Sequence, residues 1–142
     1  MKINWLAVLL AVVFGMGLGF LFYGHLFQNL WMSGNGITMD AEQTKMFKNG
    51  VEMPMSLTPM IFNTLVMIIY ALGLTWLLSK THAQNWMDGL IIGGLIGLFT
   101  LLGVFVGNMF AMNPSSLSMV NGLYSLLLFA GMGAILAYFR KH

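Results

Sequence analysis

The chain has 142 residues, 58% of them hydrophobic and only 7% charged, where soluble proteins run at about 45–50% and about 25%. Six basic and four acidic side chains cannot cover the surface of a water-soluble fold of this length, so the bilayer is the expected solvent. The net charge of +2 forms no basic track for nucleic acid, and the lack of cysteine excludes disulfides, thiolate metal sites and cysteine nucleophiles.

Four apolar runs, at about 3–23, 58–79, 86–112 and 116–139, each approach the roughly 20 residues that a helix needs to cross the hydrocarbon. No run has a charge in its interior; Asp88 stands at the start of the third. The fold class expected is an all-α membrane protein, one domain over 1–142. It has four transmembrane helices and a helical, amphipathic outer loop at 24–57, because backbone polar groups in lipid must be satisfied within each segment.

The first run follows Lys2 as a signal peptide would, but it continues apolar to Tyr23 without a small-x-small cleavage site, so an uncleaved anchor is expected. Gly15 and Gly19 give it a short face of small residues. In the loop, Leu26, Phe27, Leu30 and Trp31 mark one apolar face of a short interfacial helix, interrupted by Gly34 and Gly36. A second loop helix is expected at 39–49. Thr38 would cap it, Asp40 and Glu42 would suit its first turn, Lys45 and Lys48 its last, and Gly50 would stop it. Met39, Met46 and Phe47 would share one face.

Thr58-Pro59 reads as N-cap and N1 of the second span. Asn85 to Asp88 reads as a capping-box variant opening the third. Pro114 ends the third helix and permits a tight return into the fourth. The short links at 80–85 and 113–115 predict that helices two, three and four are neighbours running up, down and up. On the third helix, Gly89, Gly93, Gly97, Thr100, Gly103 and Gly107 fall within an arc of roughly 120° at about 100° per residue. That stripe suits close packing against another helix, whether inside one bundle, in a homo-oligomer or against a membrane-protein partner. The fourth run carries Ala130, Gly133, Ala134 and Ala137.

An even number of spans puts both termini on one side. Lys2, Lys80, Arg140 and Lys141 lie there, against Lys45 and Lys48 on the other, so cytoplasmic termini in a bacterial inner membrane are expected. Trp5, Trp76, Trp86 and Tyr138 then fall at inner ends as interfacial anchors, with Tyr23 and Trp31 at the outer interface.

Polar residues within the spans are few. Asn63, Asn108 and Asn121 fall in the outer half with Tyr23 and His25. They either line a small polar pocket beneath the loop or bond helix to helix. The histidines lack metal spacing, and His25 alone suits an interfacial polar anchor. Met53 and Met55 with His25 offer soft donors for Cu(I), although methionine also fills apolar gaps throughout the chain. No nucleophile elbow, phosphate loop or zinc-protease motif appears, so no enzyme activity and no cofactor is expected. The absence of an intramembrane carboxylate weighs against proton-driven transport.

The stretch "INWLAVLLAVVFGMGLGFLFYGHLFQNLWM" carries Asn4-Trp5, Gly19, Phe22-Tyr23-Gly24, Leu26-Phe27 and Trp31-Met32. It resembles the signature of an uncharacterised bacterial family of small four-span membrane proteins, a domain-of-unknown-function family. The glycine-rich third helix and "NGLYSLL" are also similar. Proline commonly follows Tyr-Gly in that family, where this chain has His25, and Gln28-Asn29 stands in place of glycine-lysine. The resemblance implies a membrane fold and no defined activity. The expected role is structural or interactive, by self-association or as an accessory subunit. The rival reading is a small transporter or binder of an apolar or weakly polar solute or lipid.

Overall fold

The computed structural model describes residues 2–140; Lys141 and His142 lie outside them. In chain order the elements are α1 (Trp5–Leu21), a π-helical turn (Phe22–Leu26), α2 (Gln28–Gly34), β1 (Ile37–Met39), β2 (Met46–Lys48), β3 (Val51–Met53), α3 (Thr58–Lys80), α4 (Trp86–Phe110) and α5 (Ser115–Tyr138). The π-turn extends α1, and the continuous helix Trp5–Leu26, with α3, α4 and α5, is long and apolar enough to cross a membrane. The chain is therefore a multi-pass membrane protein.

The helix starts follow from local chemistry. Asn4 accepts hydrogen bonds from the Leu6 and Ala7 amides at 3.2 and 3.4 Å, satisfying donors that a first turn leaves free. Asn85 and Asp88 form a complete capping box at α4. The start of α3 differs from the sequence expectation. Thr58 is already helical, and the Ser56 hydroxyl accepts from its amide at 3.1 Å. Pro59 still occupies the first turn, where its missing N–H costs nothing.

The core runs between α1, α3 and α5, with Ala7, Ala11, Met67, Ala71, Leu74, Leu78, Leu128, Met132 and Leu136 buried together. The end bearing the N-terminus is tied by two long-range links. Asn4 donates its side-chain amide to the Phe139 carbonyl at 2.7 Å. Arg140 donates from one guanidinium nitrogen to the carbonyls of Leu78 and Ala83, at 2.8 and 2.7 Å. The arginine thus caps the C-terminal end of α3, where carbonyls lack helical partners and the dipole favours a cation. These links bring exposed Trp5, Trp76, Trp86 and Tyr138 to the same end of the molecule. Lys80 lies over the Trp76 ring there, 6.0 Å from its centroid.

Helix α4 does not sit beside α3 as the short link at 80–85 suggests. It packs along α5 and touches α3 only marginally, leaving α5 as the central helix. The cause is the approach of backbone to backbone. Cβ atoms built at Gly89 and Gly93 would run into the Gly133 and Phe129 carbonyl oxygens, and one at Gly97 would lie 2.7 Å from the Leu126 Cα. Farther along the same stripe, nothing lies within 4 Å of where side chains at Gly103 and Gly107 would begin.

The loop at 24–57 departs most from expectation. Its first helix forms as α2, and Gly34 lies against Leu117 at the start of α5. The helix expected at 39–49 is instead a three-stranded antiparallel meander in the order β1-β2-β3. Asn49 and Gly50 have φ of +52° and +82°, the left-handed pair demanded by a two-residue type I′ hairpin turn, so Gly50 turns a strand rather than stopping a helix. Asp40 organises the β1–β2 connection. Its carboxylate accepts from the Thr44 amide and hydroxyl, both at 2.7 Å, and from the Lys45 amide at 3.0 Å. Those bonds hold its carboxyl below the usual carboxylate range.

Candidate functional site

The π-turn sets the geometry of the end opposite the N-terminus. The Phe27 amide reaches the Phe22 carbonyl at 2.8 Å, the wider i→i+5 spacing that interrupts an α-helix and recurs at functional sites. Phe22 points inward and is buried. Tyr23 turns to α5, where its hydroxyl donates to Asn121 Oδ1 at 2.8 Å. The Tyr23 ring meets Trp31 and Tyr124 edge-on, with centroids 5.8 and 5.1 Å apart. Tyr124 reaches the Gly15 carbonyl with its hydroxyl at 3.5 Å. Glycine at position 19 makes this fit, since a Cβ there would meet the Tyr124 hydroxyl at 3.3 Å.

In front of this aromatic wall lies a groove of about 470 Å³, within the roughly 300–1,000 Å³ of small-molecule sites. The α1 segment supplies Met16, Gly19, Phe20 and Tyr23, α2 supplies Trp31, α3 supplies Pro59, Met60 and Asn63, and α5 supplies Tyr124. Its lining is mostly apolar, and its polar side-chain groups are the Tyr23 and Tyr124 hydroxyls, the Trp31 indole N–H and the Asn63 amide. Thr64, next to Asn63, is satisfied by the Met60 carbonyl at 2.9 Å. Among the described residues, no group bonds the Asn63 side chain, although it faces the groove. Asn63 lies five residues into α3, about 7.5 Å along its axis. The Asn63 side chain is exposed at the groove, so its amide is free to pair with a ligand's polar group.

The residues singled out from the sequence thus divide. Tyr23 and Asn121 are bonded to each other, and Tyr23 and Asn63 line one groove. Asn108 is elsewhere; it accepts from Asn113 at 2.9 Å at the turn between α4 and α5. His25 is exposed on the π-turn. Met53 lies in β3, while Met55 is exposed in the link to α3. Gly15 packs against Met67 and Leu128. Among the described residues, no group of three His, Asp or Glu side chains is placed to hold a metal ion.

Sequence reasoning missed Tyr124 and the double role of Trp31. Tyr124 follows Asn121 by three residues and so shares its helix face, a signal present in "NGLYSLL". Arg140 carries a capping role beyond its topogenic charge. It is the sole arginine of the chain, directly after an apolar helix, where a C-terminal cap is a natural role.

No curated protein and no solved structure matches the chain. A family profile described as a protein of unknown function (DUF1761) matches residues 6–137, a range that takes in the four long helices to within one residue at either end, together with the π-turn and the meander. The chain belongs to this DUF1761 family.

Proposed function

We propose that this protein binds an apolar or weakly polar solute or lipid in the groove between α1, α3 and α5, entered sideways from the bilayer. The observation that carries the reading is the Asn63 amide, unpaired among the described residues and facing an apolar groove of about 470 Å³. Such a site suits a molecule with a hydrocarbon body and one hydrogen-bonding group. The aromatic faces of Tyr23, Trp31 and Tyr124 would flank the body, and Asn63 would pair with the polar group. Native mass spectrometry of the full chain, released from bacterial-lipid nanodiscs, tests this. One retained lipid-mass adduct per chain is expected, displaced in Met60→Trp, which fills the groove. Equal retention by a folded Met60→Trp variant refutes the site.

The reading includes a topology. The chain would reside in a bacterial inner membrane with both termini cytoplasmic, supported by Lys2, Lys80 and Arg140 at one end against Lys45 and Lys48 in the meander. Because the chain has no native cysteine, Thr44→Cys gives a single reporter. An impermeant maleimide applied to intact spheroplasts should label it, and protection of that cysteine would reverse the orientation.

A second reading, self-association or service as an accessory subunit, draws on the uncovered Gly103 and Gly107 beside exposed Phe99, Leu102 and Val106 on α4. Crosslinking in native membranes should then trap contacts along this part of α4, and recovery of monomers alone across several crosslinkers would end that reading.

A further inference from the structure

The outer meander brings three methionines into one row. Met39 of β1 pairs directly with Met46 of β2, and Met46 pairs directly with Met53 of β3. Directly paired residues of antiparallel strands lie on the same face, with β-carbons about 4.5–5.5 Å apart. A methionine side chain is unbranched and flexible, and its thioether is polarisable, so three thioethers in one row can close on a single ion. A cavity of about 110 Å³ beside the row is lined by Met46 and Met53 with Ile37, Phe47, Lys48 and Pro54, and Met39 lies outside that lining.

The chemistry of the face selects the ion. The residues alternating with the row, Thr38, Phe47 and Glu52, project to the opposite side, so the strands offer no carboxylate on the methionine side. Lys48, which pairs with Ile37 and Val51, adds a positive charge there. Hard divalent cations need oxygen ligands and negative charge, and this face offers neither. Thioether donors favour Cu(I). We propose that Met39, Met46 and Met53 form a site for one soft monovalent cation, Cu(I), on the extramembrane sheet. The site is independent of the groove.

The probe is Cu(I) itself, presented to the full chain in detergent micelles under ascorbate and buffered by bicinchoninate. One equivalent should pass from the chelator to the protein. Met39→Leu, Met46→Leu and Met53→Leu should each weaken uptake at least tenfold, while Met32→Leu and Met55→Leu leave it within twofold. Leucine keeps the face apolar and nearly unchanged in volume, so a face that merely rests on lipid would not respond. X-ray absorption on the wild-type chain supplies a readout that needs no variant, and a shell of three sulfurs is expected. Absence of uptake, uptake that survives the triple leucine variant, or a nitrogen and oxygen shell would each overturn the assignment.

Discussion

Replacing Gly93 by alanine adds one methyl group where α4 and α5 are closest. An ideal Cβ there would fall 2.8 Å from the Phe129 carbonyl carbon and nearer still to its oxygen. Both obstacles are backbone, so no side-chain rotation relieves them. Clearing the carbon alone requires the helices to part by roughly 0.6 Å, since ordinary contact begins at 3.4 Å. The parting also loosens the contacts at Gly89 and Gly97. Overpacking of this kind costs about 1–3 kcal/mol. Gly103→Ala is the matched control on the same helix and stripe. Nothing lies within 4 Å of its new Cβ, and alanine favours the helix by up to about 1 kcal/mol. A difference of about 2 kcal/mol between the variants is roughly thirtyfold in the folding equilibrium. Reversible unfolding in mixed micelles, with increasing dodecyl sulfate and circular dichroism as readout, measures it. Gly93→Ala and Gly103→Ala variants of equal stability would refute the packing argument.

Tyr23→Phe deletes the donor to Asn121, and the same unfolding assay should show a loss of about 0.6–2 kcal/mol. Arg140→Met removes both bonds to the Leu78 and Ala83 carbonyls and should cost about 1–3 kcal/mol; Arg140→Lys should restore only part, because its ammonium is a flexible, strongly hydrated donor without the rigid planar N–H geometry. Asp40 has a carboxyl pKa depressed in the folded loop, so its contribution is fully present above the unfolded carboxylate value of about 3.9 and is lost as pH falls through the lower folded value. Hydrogen exchange at the Thr44 and Lys45 amides should therefore be protected at pH 5–7, with that protection lost in acid, and Asp40→Ala should abolish the pH dependence.

The spans were legible because lipid imposes length and apolarity on each helix, and the Asn85–Asp88 box marked its own helix start. The meander was missed for a physical reason. The acidic-then-basic order from Asp40 to Lys48 satisfies the helix dipole and hides the competing signal at Asn49-Gly50, whose left-handed pair closes a hairpin. The divided glycine stripe was not legible either. Period alone groups Gly89 with Gly107, and only the path of α5 separates the covered half from the open one. Within the groove, Tyr23 and Asn63 were readable as outer polar residues. Their separation from Asn108 and His25 depends on the π-turn and on the central place of α5, neither of which leaves a mark in a linear pattern.

The claim that the groove holds a ligand rests on the Asn63 amide, and Trp31, which lines the same groove, gives the most direct measurement. In a chain carrying Trp5→Phe, Trp76→Phe and Trp86→Phe, Trp31 is the only tryptophan and an energy donor at the groove. Titration of this chain in nanodiscs with dodecyl dansylamide, a neutral amphiphile with one hydrogen-bonding head, should give saturable transfer from Trp31 at one probe per chain. Asn63→Leu should weaken it by about tenfold, the scale of one lost hydrogen bond to a desolvated partner, while Asn108→Leu leaves it unchanged. Transfer that rises linearly with probe and ignores Asn63→Leu would mean simple partition into the bilayer, and would contradict the account.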